Sequence, residues 1–106
     1  MGNGFINKAE ELYNIVGIET KQMFCNLYCY PIDELKAIKL LKLLLEKGFI
    51  LNLQKLNDMW EITDGIGIYN SSEPSLNEAI ASVLIQIIKD DIIDIKTDVK
   101  IVLEEL

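Results

Sequence analysis

Asp90, Asp91, Asp94 and Asp98 form the densest run of carboxylates in the chain. If this stretch is helical, Asp90, Asp94 and Asp98 recur at i, i+4, i+8 and line one face at ~6 Å steps, comparable to phosphates along a nucleic-acid strand. Such a row is suited to mimicking a polyanion, with Glu104 and Glu105 extending its negative surface. The same carboxylates could bind Ca²⁺ or Mg²⁺, but the stretch lacks the alternating Asp/Asn ligands, central Gly and terminal Glu of a calcium loop. The plain alternative is a solvated face balanced by Lys89, Lys96 and Lys100.

Other chemistry is limited by what the chain lacks. Its 106 residues include no His, and all ten basic residues are Lys, so there is no Arg. Arg reads phosphates and guanine edges with two hydrogen bonds, and His titrates near neutral pH. Their absence argues against a nucleic-acid binder, a His-based hydrolase and a His-ligated metal site. Cys25 and Cys29 supply only two soft ligands where zinc takes about four. On a strand these thiols would lie ~13 Å apart, too far for a disulfide; on a helix they would be neighbours. Buried structural thiols are the expectation. Ser71-Ser72 has no His to activate it, and no Gly-rich loop ends in Lys-Ser/Thr. The expectation is a protein without catalytic activity and without a cofactor.

The formal net charge of −7 opposes approach to DNA, RNA and anionic membranes and favours a partner with a basic surface. The longest apolar runs, residues 40–45 and 83–88, are interrupted by Lys42 and Gln86 and fall well short of the ~20 residues of a membrane span. Met1-Gly2-Asn3-Gly4-Phe5 has no basic region leading into an apolar one, so a cytoplasmic protein is expected.

The length fits one domain, residues 1–106, with a core over about 31–89 and a C-terminal extension over 90–106. Phe5, Ala9, Leu12, Tyr13 and Val16 predict a first helix closed by Gly17. Residues 19–30 have no clean period, and Phe24, Tyr28 and Tyr30 read as anchors of a loop or short strand. Pro31 opens a second helix with Asp33 and Glu34 near its positive end. Leu35, Ile38, Leu41 and Leu45 form its core stripe, widened by Leu40 and Leu44, with Lys36, Lys39 and Lys42 on the solvated or anion-binding side. Gly48 ends it.

Phe49, Leu51 and Leu53 alternate with Asn52 and Gln54 as in a half-buried strand. A turn at Asn57-Asp58 leads to a second strand carrying Trp60 and Ile62, and Asp64-Gly65 turns into a third, Ile66 to Tyr69. Gly67 marks an edge, a bulge or a close backbone approach there. Residues 70–74 read as a loop, and Ser75 with Glu78 as a reciprocal capping box for a helix with a wide apolar face from Leu76 to Ile88. Residues 90–106 fit a strand or, after Thr97-Asp98, a helix. A heptad-like seam of Ile92, Ile95, Val99, Val102 and Leu106 could dock on the domain or pair two copies. The fold class is α+β: an α-β-β-β-α core with a three-stranded antiparallel meander, an N-terminal helix and a C-terminal extension.

Residues 12–18, Tyr30-Pro31, Ala37, Leu41, Gly48-Phe49, Trp60, Tyr69 and Glu78-Ala79-Ile80 together resemble the small phage and prophage proteins of the phage ABA-sandwich domain family. The resemblance covers about two-thirds to four-fifths of the chain. It implies a sheet between two helical layers, and it transfers no site residues. The extension after Asp90 and the lack of a second aromatic beside Trp60 depart from the pattern. With the acidic balance, it implies a phage or prophage accessory protein that inhibits a host nucleic-acid-binding defence factor, of the anti-CRISPR kind. Asp90, Asp91, Asp94, Asp98, Glu104 and Glu105 would then face the partner, with Trp60 or Tyr69 as anchors. The alternatives are an assembly module pairing as a homodimer through Ile92, Ile95, Val99 and Val102, and a small-nucleotide sponge using the Lys36, Lys39, Lys42 row.

Overall fold

Capping residues and left-handed glycines set the helix limits. A computed structural model of the chain describes residues 8–18, 32–91 and 93–105. In it α1 spans Lys8–Ile15 and α2 spans Glu34–Glu46. Strands β1 (Leu51–Leu56), β2 (Met59–Asp64) and β3 (Asn70–Glu73) follow, then α3 (Leu76–Asp90) and α4 (Lys96–Glu104). The fold is α+β, with an antiparallel sheet in the order β1-β2-β3. Phe5, Pro31 and the stretch 19–30, with Phe24, Cys25, Tyr28, Cys29 and Tyr30, lie outside the described residues.

Gly17 and Gly48 hold φ at +86° and +98°, a backbone that other residues avoid. Each lets the next amide fold back over the helix end: Ile18 N–H to the Tyr13 carbonyl at 2.9 Å, and Phe49 N–H to that of Leu44 at 3.1 Å. α2 starts later than Pro31. Asp33 is its cap, the carboxylate accepting the Lys36 amide at 2.8 Å.

The core stripe of α2 differs from the expected one. Ala37, Leu40 and Leu44 are buried, while Leu35, Ile38 and Leu45 are 60 %, 53 % and 57 % exposed. An apolar arc wider than half a helix cannot show by period alone which part turns inward. α4 decides it. The Lys36 ammonium donates to the Leu103 carbonyl at 3.0 Å, near the negative end of the α4 dipole, and Lys39 pairs with Glu105 at 2.9 Å. Two lysines expected on a solvated side therefore clasp α4.

The β1–β2 hairpin closes through Asn57 and Asp58 at φ 51° and 64°, the left-handed pair that matches strand twist in a two-residue turn. Its register places Leu51, Leu53 and Lys55 opposite Asp64, Ile62 and Trp60, on the face toward the helices. α3 crosses β2 and β3. Ile62 is accordingly buried, whereas Leu53, out on β1, is 41 % exposed. On the opposite face Asn52, Gln54, Thr63, Asn70 and Ser72 are exposed, so the second helical layer implied by the resemblance is not among the described residues.

The third strand is Asn70–Glu73, not Ile66 to Tyr69, and the expected loop at 70–74 is mostly strand. Asp64 explains the shift. Its carboxylate accepts the Tyr69 amide at 3.1 Å, its N–H donates to the Tyr69 carbonyl at 3.0 Å and its carbonyl accepts the Gly67 amide at 3.1 Å. Residues 65–69 thus become the loop, with Gly67 at φ +76°. The polar β3 is held inside by Ser71, whose buried hydroxyl donates to the Ala79 carbonyl at 2.9 Å.

α3 is the element around which the others gather. Every residue from Ala79 to Ile85 is buried, because α1, α2, β2 and β3 approach it from different sides. Ser75 caps it as expected, accepting the Glu78 amide at 3.1 Å. Glu78 does not complete a reciprocal box. Its two carboxylate oxygens take the amides of Lys8 at 2.9 Å and Ala9 at 3.2 Å, so α3 caps the positive end of α1.

Residues 93–105 join the same core. Ile95, Val99 and Leu103 are at most 2 % exposed, turned toward α2 at i, i+4, i+8. Each such side chain contributes about 1.5–3 kcal/mol by burial. The half-exposed pairs Lys39–Glu105 and Lys47–Asp98 contribute about 0–1 kcal/mol each, so apolar contact dominates. Beneath them the Tyr13 phenol, 3.4 Å from the Leu103 carbonyl, has its pKa pushed up to about 12 by burial and by the charge of Asp33.

Replacing Glu78 by Ala removes the acceptor for two helix-end amides. The expected loss, in denaturant unfolding, is about 1–2 kcal/mol. Hydrogen exchange should rise in α1 more than in α4; an equal rise in both would show that Glu78 has no local capping role.

Candidate functional site

The acidic stretch takes its shape from where α3 stops. The helix ends at Asp90, and Asp91 caps it in the left-handed region at φ 56°, so the chain turns away. Asp94 lies in the connection and Asp98 in the first turn of α4. Asp90, Asp94 and Asp98 therefore do not share one helix, and the regular ladder expected of them is not formed.

Several of these carboxylates are engaged within the chain. Asp90 accepts the Tyr69 hydroxyl at 2.7 Å, Asp98 pairs with Lys47 at 3.0 Å and Glu105 with Lys39 at 2.9 Å. Asp91, Asp94 and Glu104 are exposed and have no ion-pair partner among the described residues. No three acidic or thiol side chains among those residues converge as a metal site.

Of the two expected aromatic anchors, Tyr69 is turned inward. Tyr69 is only 7 % exposed, its ring edge against Phe49 at a centroid distance of 6.2 Å. The phenol holds its proton more tightly than a free tyrosine, first because it donates to Asp90, then through burial and the charges of Asp90 and Asp64. It is a structural donor. Trp60 is half-buried, with the Lys55 ammonium 5.7 Å from the centre of its ring.

The self-association seam also turns inward. Ile95 and Val99 are fully buried in the protein's own core, which removes them as a dimer surface in this fold. Val102 is half-buried, and Ile92 lies outside the described residues.

Two surface features were not anticipated. One is the outward arc of α2 formed by Leu35, Ile38 and Leu45. Its signal was present in the sequence as an apolar arc too wide for one core contact. The other is a cavity of about 340 Å³ where the β2–β3 loop meets the chain after α2. Phe49, Ile50, Ile66 and Ile68 form much of its wall, and Asp64 is part of the lining. The alternation of Ile66 and Ile68 imitates a strand, which concealed it. Gly65 shapes this wall, since a Cβ there would meet the Ile50 Cβ at 3.1 Å.

No helix among the described residues is long and apolar enough to cross a membrane. No protein-family model, curated protein or solved structure matches the chain.

Asp90→Asn removes the carboxylate acting on Tyr69. The expected outcome in an NMR-monitored alkaline titration is a Tyr69 pKa lowered toward the ordinary tyrosine value, with Tyr13 unchanged. An unmoved Tyr69 would show that burial, not Asp90, dominates.

Proposed function

We propose that this protein acts without catalysis, by binding another protein through the outward arc of α2, and that the partner surface is basic. The observation that carries this reading is the exposure of Leu35, Ile38 and Leu45 along one helix, at 60 %, 53 % and 57 %. Single exposed apolar residues are ordinary, but several on one arc are characteristic of interaction surfaces. The sign of the partner follows from the net charge of −7 and from Asp91, Asp94 and Glu104, which have no ion pair among the described residues.

In its most specific form, this is a phage- or prophage-type accessory protein that inhibits a host nucleic-acid-binding defence factor. The acidic balance supports that form. With Asp90 bonded to Tyr69 and Asp98 to Lys47, any mimicry of nucleic acid uses scattered carboxylates flanking an apolar contact. Such a partner would be steered electrostatically and held by apolar burial.

Self-assembly is the second reading. Among the described residues β1 is an edge strand, and Leu53 and Leu56 on it are 41 % and 48 % exposed, so a second copy could pair along it. The nucleotide-sponge reading loses support, because Lys36 and Lys39 are engaged with α4.

Purified protein, an Ile38→Glu/Leu45→Glu double variant and an Asp91→Lys/Asp94→Lys/Glu104→Lys triple variant test the reading. Each is used to capture partners from bacterial lysate, followed by binding of the recovered protein in a salt series. The expected partner is basic, binds nucleic acid in competition with this protein, and loses at least about tenfold in affinity to each variant. Recovery of only the protein itself, with dimers in light scattering, would replace this reading by self-assembly. Equal binding by all three forms would contradict the assigned surface.

A further inference from the structure

The cavity at the β2–β3 loop combines apolar walls with a buried carboxylate. Its walls are apolar: Phe49, Ile50, Ile66, Ile68 and Ile93 contribute, with Ile50, Ile66 and Ile68 at 70 %, 77 % and 56 % exposure. Its lining also includes Asp64, a carboxylate only 6 % exposed. Among the described residues the Asp64 side chain has one hydrogen-bond donor, the Tyr69 amide at 3.1 Å, and no ion-pair partner. A carboxylate accepts at about four lone-pair positions, so Asp64 can take a further donor beside the Tyr69 amide.

A buried carboxylate without a cation is costly in apolar surroundings. None of the described residues lining the cavity is basic. Asp90, bonded to the Tyr69 hydroxyl at 2.7 Å, places a second negative charge on the same tyrosine. The local field therefore favours a cation, and the walls favour an apolar body. The volume, about 340 Å³, falls at the lower end of small-ligand pockets, which span roughly 300–1,000 Å³.

From this we infer that the cavity binds a small amphiphilic amine, its apolar body against Phe49 and the isoleucines and its protonated nitrogen donating to Asp64. The ammonium supplies a counter-charge through a charge-assisted hydrogen bond, and the Tyr69 amide, 3.1 Å from Asp64 Oδ1, holds the carboxylate in place. Gly65 keeps the loop close to Ile50: a Cβ there would meet the Ile50 Cβ at 3.1 Å, so a larger residue would require Ile50 to shift by a few tenths of an ångström. The site does not depend on the protein-binding reading, because its residues are not those of the α2 arc.

The probe is 2-phenylethylamine, compared with the neutral 2-phenylethanol and the anionic 3-phenylpropionate, in NMR titrations of the full chain. Saturable shifts of the Gly67, Tyr69 and Ile93 amides are expected with the amine. The alcohol should bind at least about tenfold more weakly and the carboxylate not at all. Asp64→Asn keeps an acceptor for the Tyr69 amide and should weaken amine binding at least about tenfold while leaving the alcohol unchanged. Ile66→Ser, at a side chain 77 % exposed and so outside the core, should weaken amine and alcohol alike and serves if Asp64→Asn fails to fold. Absence of saturable amine binding, equal binding of amine and alcohol, or undiminished amine binding by Asp64→Asn would each overturn the inference.

Discussion

One helix surrounded on nearly all sides is the constraint from which the rest of the structure follows. The unbroken buried run Ala79 to Ile85 leaves α3 no solvated stripe through its middle, so α1, α2 and the sheet must each cover a different part of it. Two small polar groups make that arrangement tolerable. Ser71 reaches the Ala79 carbonyl from β3, and Glu78 extends from α3 to cap α1. Left without a partner, the buried Ala79 carbonyl or Ser71 hydroxyl would cost about 1–3 kcal/mol. Satisfied, they fix which element lies where.

Gathering everything on one helix leaves the periphery thinly covered. β1 lies beyond the reach of α3, which explains the exposure of Leu53, and α2 turns one apolar arc inward and another outward. α4 closes the gap beside α2 with Ile95, Val99 and Leu103, which takes Ile95 and Val99 out of the seam expected to pair two copies. Among the described residues, the surfaces that α3 and α4 leave open include the α2 arc, the edge of β1 and the cavity behind the β2–β3 loop.

Much of the fold was legible because its signals are local. Gly17, Gly48, Ser75 and the Asn57-Asp58 turn act within a few residues, and each does what its type dictates. The errors arose where a distant partner decided the outcome. Period could not tell which arc of α2 faces inward, since that depends on α4. The alternation of Ile66 and Ile68 read as a strand, because the Asp64 carboxylate that captures the Tyr69 amide is invisible in a hydrophobic pattern. Glu78 matched a capping box by spacing, yet the amides it serves lie some 70 positions away in sequence. The candidate site was less legible still. The row of aspartates lines one face only if the stretch is a single helix, and the left-handed cap at Asp91 ends the helix there.

Amide hydrogen exchange of the free protein at low concentration tests most directly whether α3 is the buried centre and β1 and the α2 arc are left open. The slowest amides should lie between Ile80 and Ile85 and exchange only with global unfolding, while the outward-directed amides of β1 exchange much faster through local opening. Protection of those β1 amides equal to that of α3 in dilute protein would contradict this arrangement, because it would mean that another element already covers the edge.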